Sequence, residues 1–125
     1  MSLERFDAVA DAAGLDRGRA KRALLVAVCM LCRRLTPEEA QHLIAQLPSL
    51  LQSGLDDCLG GPDRSVTMLA ITDELARSLG IAPENAGTTL RAVFNVVAAS
   101  VSSGQIREVR GQLPEEMKSL FPTAA

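Results

Sequence analysis

Tryptophan and tyrosine are absent from this chain, and phenylalanine occurs three times, as Phe6, Phe94 and Phe121. Stacking of bases or sugars needs aromatic faces, so recognition by stacking has almost nothing to build on. A basic excess is lacking too. Thirteen Lys and Arg stand against fifteen Asp and Glu, a formal net charge of −2, which argues against a dedicated nucleic-acid binder. No apolar run is long: the longest, Ala23 to Cys32, has ten residues, whereas a spanning helix needs about 20. Early residues include Glu4, Asp7 and Asp11, with no basic start followed by an apolar stretch, so a secretory signal is not expected. Histidine is reduced to His42. The three cysteines, Cys29, Cys32 and Cys58, cannot all pair within one chain. Without an export signal they are expected to be reduced thiols in a cytoplasmic protein.

What is present is a repeat. Gln46-Leu47-Pro48 returns as Gln112-Leu113-Pro114, an offset of 66 residues. Holding that offset without a gap puts Asp7 on Asp73, Gly14 on Gly80, Ala20 on Ala86 and Leu24 on Leu90. Hydrophobic phase follows, with Val28 on Phe94, Leu31 on Val97 and Leu43 on Val109. A gapless match that also preserves apolar phase is the signature of internal duplication.

Punctuation recurs with the same spacing. Thr36-Pro37-Glu38-Glu39 reads as a helix start, with Thr36 as N-cap, Pro37 at the first helical position and Glu39 closing a capping box. Ser102 and Gln105 stand in for Thr36 and Glu39 in the second half. Gly14 and Gly80 fit the left-handed position that ends a helix. Each half thus reads as helix, long helix, helix, short helix. The helices are expected near 3–13, 16–35, 37–46 and 48–55, then 66–79, 83–101, 103–111 and 114–121. On the long helix, Ala20, Leu24, Ala27, Val28, Leu31 and Leu35 form an apolar stripe at helical spacing. The fold expected is all-α: repeats 3–55 and 69–121, joined by a linker at 56–65, packed as one domain over 1–125, because a half of about 60 residues is marginal alone.

The stretch from Leu35-Thr36-Pro37-Glu38-Glu39-Ala40 to Gln46-Leu47-Pro48-Ser49-Leu50-Leu51 resembles a bacterial family catalogued as domain of unknown function 2267. Gln112-Leu113-Pro114-Glu115-Glu116-Met117-Lys118-Ser119-Leu120-Phe121-Pro122 is similar to that family's ending. The resemblance covers nearly the whole chain and implies a duplicated all-helical fold in a bacterial cytoplasm. Members often carry aromatic residues after the first Gln-Leu-Pro, where this chain has Gly54-Leu55-Asp56-Asp57-Cys58. The family brings no established activity and no catalytic residues.

The chemistry-bearing residues give little. Cys29 and Cys32 have the Cys-x-x-Cys spacing of redox and zinc sites. They lie late in a long helix, where the dipole opposes a thiolate, and their repeat counterparts are Asn95 and Ala98. Buried, metal-free core cysteines are the expectation. His42 matches Glu108 in the repeat and has no nucleophile in a recognisable motif with it. Asp7 and Asp73 read as surface ion-pair partners, and Gly60-Gly61 lacks the residues of a phosphate loop. No catalytic, cofactor or metal residue is assigned.

Arg17, Arg19, Lys21 and Arg22 are more telling. They crowd the first turns of the long helix, where the dipole favours acids, and the second half has Pro83, Asn85, Gly87 and Thr88 there. Residues 1–55 hold 7 basic and 6 acidic side chains; residues 56–125 hold 6 and 9. The cluster is the candidate patch for an anionic partner. Leu25, Val26, Cys29 and Met30 also lie off the shared stripe, and must be covered by the linker and second half or by another chain, as in a homodimer. The function expected is a non-catalytic interaction or regulatory module. The alternatives are a metal- or redox-responsive protein centred on Cys29 and Cys32, and a small-molecule carrier or enzyme with a pocket between the halves.

Overall fold

A computed structural model describes residues 2–121, with side chains from Asp7 onward. Among these residues every regular element is helical: α1 Ser2–Ala13, α2 Arg17–Arg34, α3 Pro37–Ala45 and α4 Ser49–Gln52, then a 3-10 segment, Ser53–Cys58, followed by α5 Met68–Leu79, α6 Pro83–Ser100, α7 Ser103–Gly111 and α8 Glu115–Lys118. The all-α expectation holds. The bounds of α5–α8 are those of α1–α4 moved by 66 residues.

Local chemistry sets these limits. Asp16, Thr67, Thr36 and Ser102 each accept, through a side-chain oxygen, the N–H three residues on, at 2.8, 3.1, 3.3 and 3.1 Å. Such caps satisfy donors the helix itself leaves orphaned. At the other end, Gly14 and Gly80 take φ of +68° and +64°. The N–H of Leu15 then reaches Ala10 O and that of Ile81 reaches Ala76 O, at 2.9 and 3.1 Å, closing both first helices in the same way. Two expectations need correction. The fourth helices are shorter than 48–55 and 114–121, and in the first half the chain tightens into the 3-10 segment, which takes in the first residues assigned to the linker.

One continuous core runs through both halves, from Val9 to Phe121. Its largest members, among them Leu24, Leu31, Leu75 and Phe94, are almost wholly removed from water, each contributing about 1.5–3 kcal/mol. Phe94 and Phe121 meet edge to face, with ring centres 5.3 Å apart. The helix pairs mirror each other. α1 packs on α2 and on α6, α5 packs on α6 and on α2, and across the middle α2 meets α6 while α3 meets α7. Each first helix thus leans on the long helix of the other half. None of the helices is long and apolar enough to cross a membrane, among the described residues.

Candidate functional site

The capping boxes read from sequence are only half right. Thr36 and Ser102 cap as expected, but Glu39 and Gln105 do not reach back to them. The Thr36 N–H donates instead to Gln112 Oε1 at 3.0 Å, and the Ser102 N–H to Gln46 Oε1 at 2.8 Å. The glutamine of each Gln-Leu-Pro therefore caps the third helix of the opposite half. Glu39 and Gln105, freed from that duty, meet each other: Gln105 Nε2 donates to Glu39 Oε2, and Gln46 Nε2 donates to Gln105 Oε1 at 3.3 Å. Burial pushes the Glu39 carboxyl above its ordinary range, Glu108 adds to the rise, and His42 and the Gln105 hydrogen bond oppose it. This seam between α3 and α7 joins the halves through polar groups that satisfy one another.

The cysteines depart from expectation. Cys29 and Cys58 are joined as a disulfide, with Cα atoms 5.3 Å apart, so they are not reduced thiols, and Cys29 is half-buried rather than fully enclosed. The Cys-x-x-Cys spacing singles out Cys29 with Cys32, and the expectation is that both stay unbonded in the core. Residues three apart on one helix share a face, yet the 3-10 segment carries Cys58 onto α2 from outside, and its sulfur completes the bond. Cys32 is the free cysteine, fully buried, and burial pushes its thiol up to about 12. A Cys29–Cys32 redox centre therefore has no support in the geometry. No cluster of three His, Cys, Asp or Glu side chains is placed to hold a metal among the described residues.

The off-stripe residues of α2 are met from within the chain. Leu25 lies under Gly54, where an added Cβ would come 2.9 Å from its methyl group, and Leu25, Val26, Cys29 and Met30 all pack against the core. His42 stands exposed on α3, and Asp73 is exposed on α5.

The basic cluster is where the sequence put it. Arg17, Arg19, Lys21 and Arg22 are all exposed at the start of α2. Arg17 Nε lies 3.0 Å from the Asp7 carboxylate and Arg19 Nε lies 4.0 Å from Asp16. Both pairs are half or more exposed, and such pairs are worth about 0–1 kcal/mol. Helix α2 has no acid in its first turn; the Asp16 cap and Asp7 of α1 are the carboxylates that meet that end of it among these contacts.

A feature that sequence reading missed lies beside the Gln112 cap. A cleft of about 490 Å³ is lined by Arg34, Thr36, Pro62, Arg64, Gln112, Leu113 and Pro114. Three stretches distant in sequence make it: the α2–α3 junction, the linker and the second Gln-Leu-Pro. The doubled motif was the available signal, because a polar residue repeated just ahead of a helix break has a capping partner to find.

No curated protein matches the chain. The sequence profile of an uncharacterised conserved family, DUF2267, matches residues 4–120. That stretch holds both Gln-Leu-Pro motifs, both cross-caps and all four long helices save the first residues of α1. The chain belongs to the DUF2267 family of uncharacterised conserved proteins.

Proposed function

We propose that this protein is a non-catalytic interaction module, which docks an acidic protein surface through the basic start of α2. One observation carries the reading. Four cations within six residues stand exposed at the helix end where the dipole least favours them, and the matching turn of α6 holds Pro83, Asn85, Gly87 and Thr88. The frame does without them. Their mutual repulsion costs stability, and the weak pairs with Asp7 and Asp16 return little of it. A partner with several carboxylates would engage all four at once and be steered to them from a distance. Self-association has less to recommend it, since Leu25 and Cys29 are met by the 3-10 segment and all four off-stripe residues pack against the core.

The test is capture from a native lysate by the immobilised protein and by a variant carrying Arg17→Gln, Arg19→Gln, Lys21→Gln and Arg22→Gln. The variant should keep its helicity and thermal stability. A defined acidic protein should be retained by the wild type at low salt, released as salt rises, and absent from the variant's eluate. The same proteins captured by both, at every salt concentration, would refute the proposal.

A further inference from the structure

The cleft beside Gln112 exists because the linker is clamped to the end of α2. The Asp63 N–H donates to Arg33 O at 2.7 Å. Gly61 lies so close that an added Cβ would stand 2.3 Å from Arg33 O and 2.4 Å from Leu35 O, which only glycine tolerates. This contact brings Pro62 and Arg64 up to the residues at 112–114. The volume, about 490 Å³, falls in the small-molecule range of roughly 300–1,000 Å³.

The two halves supply a comparison within one molecule. Sixty-six residues on from Arg34 and Thr36 stand Ser100 and Ser102, and Gln46-Leu47-Pro48 matches Gln112-Leu113-Pro114. The junction and Gln-Leu-Pro walls of the cleft are present twice, whereas Arg34 is present once. Arg64 comes from the linker, which joins the halves and so occurs once. The carbonyl end of α2 favours a cation at Arg34, but a helix of this frame can end without one. Helix α6 ends at the same relative place with Ser100 and has no basic residue in its last turn.

The other polar groups there are engaged. Thr36 Oγ1 accepts from the Glu39 N–H and from Gln112 Nε2, both at 3.3 Å, while Gln112 Oε1 accepts the Thr36 N–H. In the adjoining linker, Asp63 Oδ1 accepts from the Ser65 N–H and hydroxyl at 2.9 and 2.7 Å, bonds that hold its carboxyl below the usual range with smaller help from the charges of Arg33 and Arg34. The ion pairs among the described residues use Arg17, Arg19, Arg77 and Lys118. Arg34 Nη1 makes a long contact, 3.5 Å, with Asp63 O. Two guanidinium groups thus line a cleft with no carboxylate within ion-pair distance of either among these contacts.

We propose that this cleft binds a small organic oxyanion, a phosphate or carboxylate on an apolar body. Arg34 and Arg64 take the oxyanion, since a guanidinium fork matches either group in a bidentate way. Pro62, Leu113 and Pro114 receive the apolar part. The site is independent of the basic start of α2.

Titration of the isotope-labelled protein with phenyl phosphate and with benzoate, followed through backbone amide shifts, tests this directly. Saturable shifts are expected at Thr36, Arg64, Gln112 and Leu113 with at least one of the two probes. The tighter probe tells phosphate from carboxylate, and inorganic phosphate should bind more weakly than phenyl phosphate. Arg34→Ser, which installs the residue of the second half, and Arg64→Ser should each weaken binding about tenfold or more while the rest of the spectrum stays native. The four-glutamine variant should bind like the wild type. Shifts that never saturate with either probe, shifts that centre on residues 17–22, or undiminished binding by Arg34→Ser and Arg64→Ser would overturn the proposal.

Discussion

A single sulfur changes the chemistry assigned to this chain. Cys58 closes onto Cys29 rather than leaving Cys29 to Cys32, so denatured, unreduced protein should react with a thiol reagent once per chain, and native protein slowly or not at all. After reduction three thiols should react. Three reactive groups before reduction would refute the bond. Closing a loop of 29 residues is worth about 3–4 kcal/mol, so Cys58→Ser should lower the unfolding free energy by about that much in denaturant titrations. Glu39 makes the second prediction at this scale. Its carboxyl is raised on folding, so the folded protein holds that proton more tightly than the unfolded chain does. The favourable contribution is complete below the unfolded value and is lost as pH rises through the folded one. Glu39→Gln should flatten the pH dependence of stability just above the ordinary glutamate range. An unchanged profile would show that the carboxyl is better solvated than its burial implies.

Among the elements, the third helix of each half is capped from across the molecule, and the two caps differ in what else they do. Gln112→Ala and Gln46→Ala should each cost about 0.5–2 kcal/mol, measured by chemical denaturation, through loss of an acceptor for a helix-start N–H. Glutamate in their place separates them. Gln112→Glu keeps the acceptor and sets a negative charge at the start of α3. The donor it loses serves only an exposed contact with the Thr36 hydroxyl, which can donate to the new carboxylate, so the change should be nearly neutral. Gln46→Glu loses the donor that serves Gln105 and brings a second carboxylate toward Glu39, so it should cost more than Gln112→Glu. Equal effects would mean that the seam is not organised as described. Much of each element was legible beforehand. Thr36, Ser102, Gly14 and Gly80 read correctly because caps and left-handed turns are decided within a few residues. The return partner of Thr36 did not, because Gln112 lies 76 residues away and no local rule points to it. The Cys29–Cys58 bond failed for a related reason. Sequence spacing judges neighbours on one helix, whereas the 3-10 segment that delivers Cys58 is placed by tertiary packing against Leu25 and α2.

At the scale of the whole molecule, the all-helical class and the bounds of α2, α3, α6 and α7 followed from apolar spacing and caps. The exchange of helices between halves did not. A stripe such as Leu24, Leu31 and Leu35 says that a face is buried, and it is silent about which helix covers it. The cleft was hidden for the same reason, since Arg34, Arg64 and Gln112 read singly as a helix end, a solvated linker residue and half of a motif. Both functional proposals rest on one structural claim: the halves form a shared frame, on which the exposed cations at the start of α2 and Arg34 of the cleft are additions that the frame does not require. In that frame α1 leans on α6 and α5 on α2, so neither half can bury its own core. Residues 1–65 and 66–125, produced separately, test this most directly by circular dichroism with sedimentation. Each half should be largely unfolded as a monomer, gaining helix only on self-association, and mixing the two should restore the helicity and cooperative unfolding of the intact chain. A half that folds alone as a stable, fully helical monomer would contradict the account.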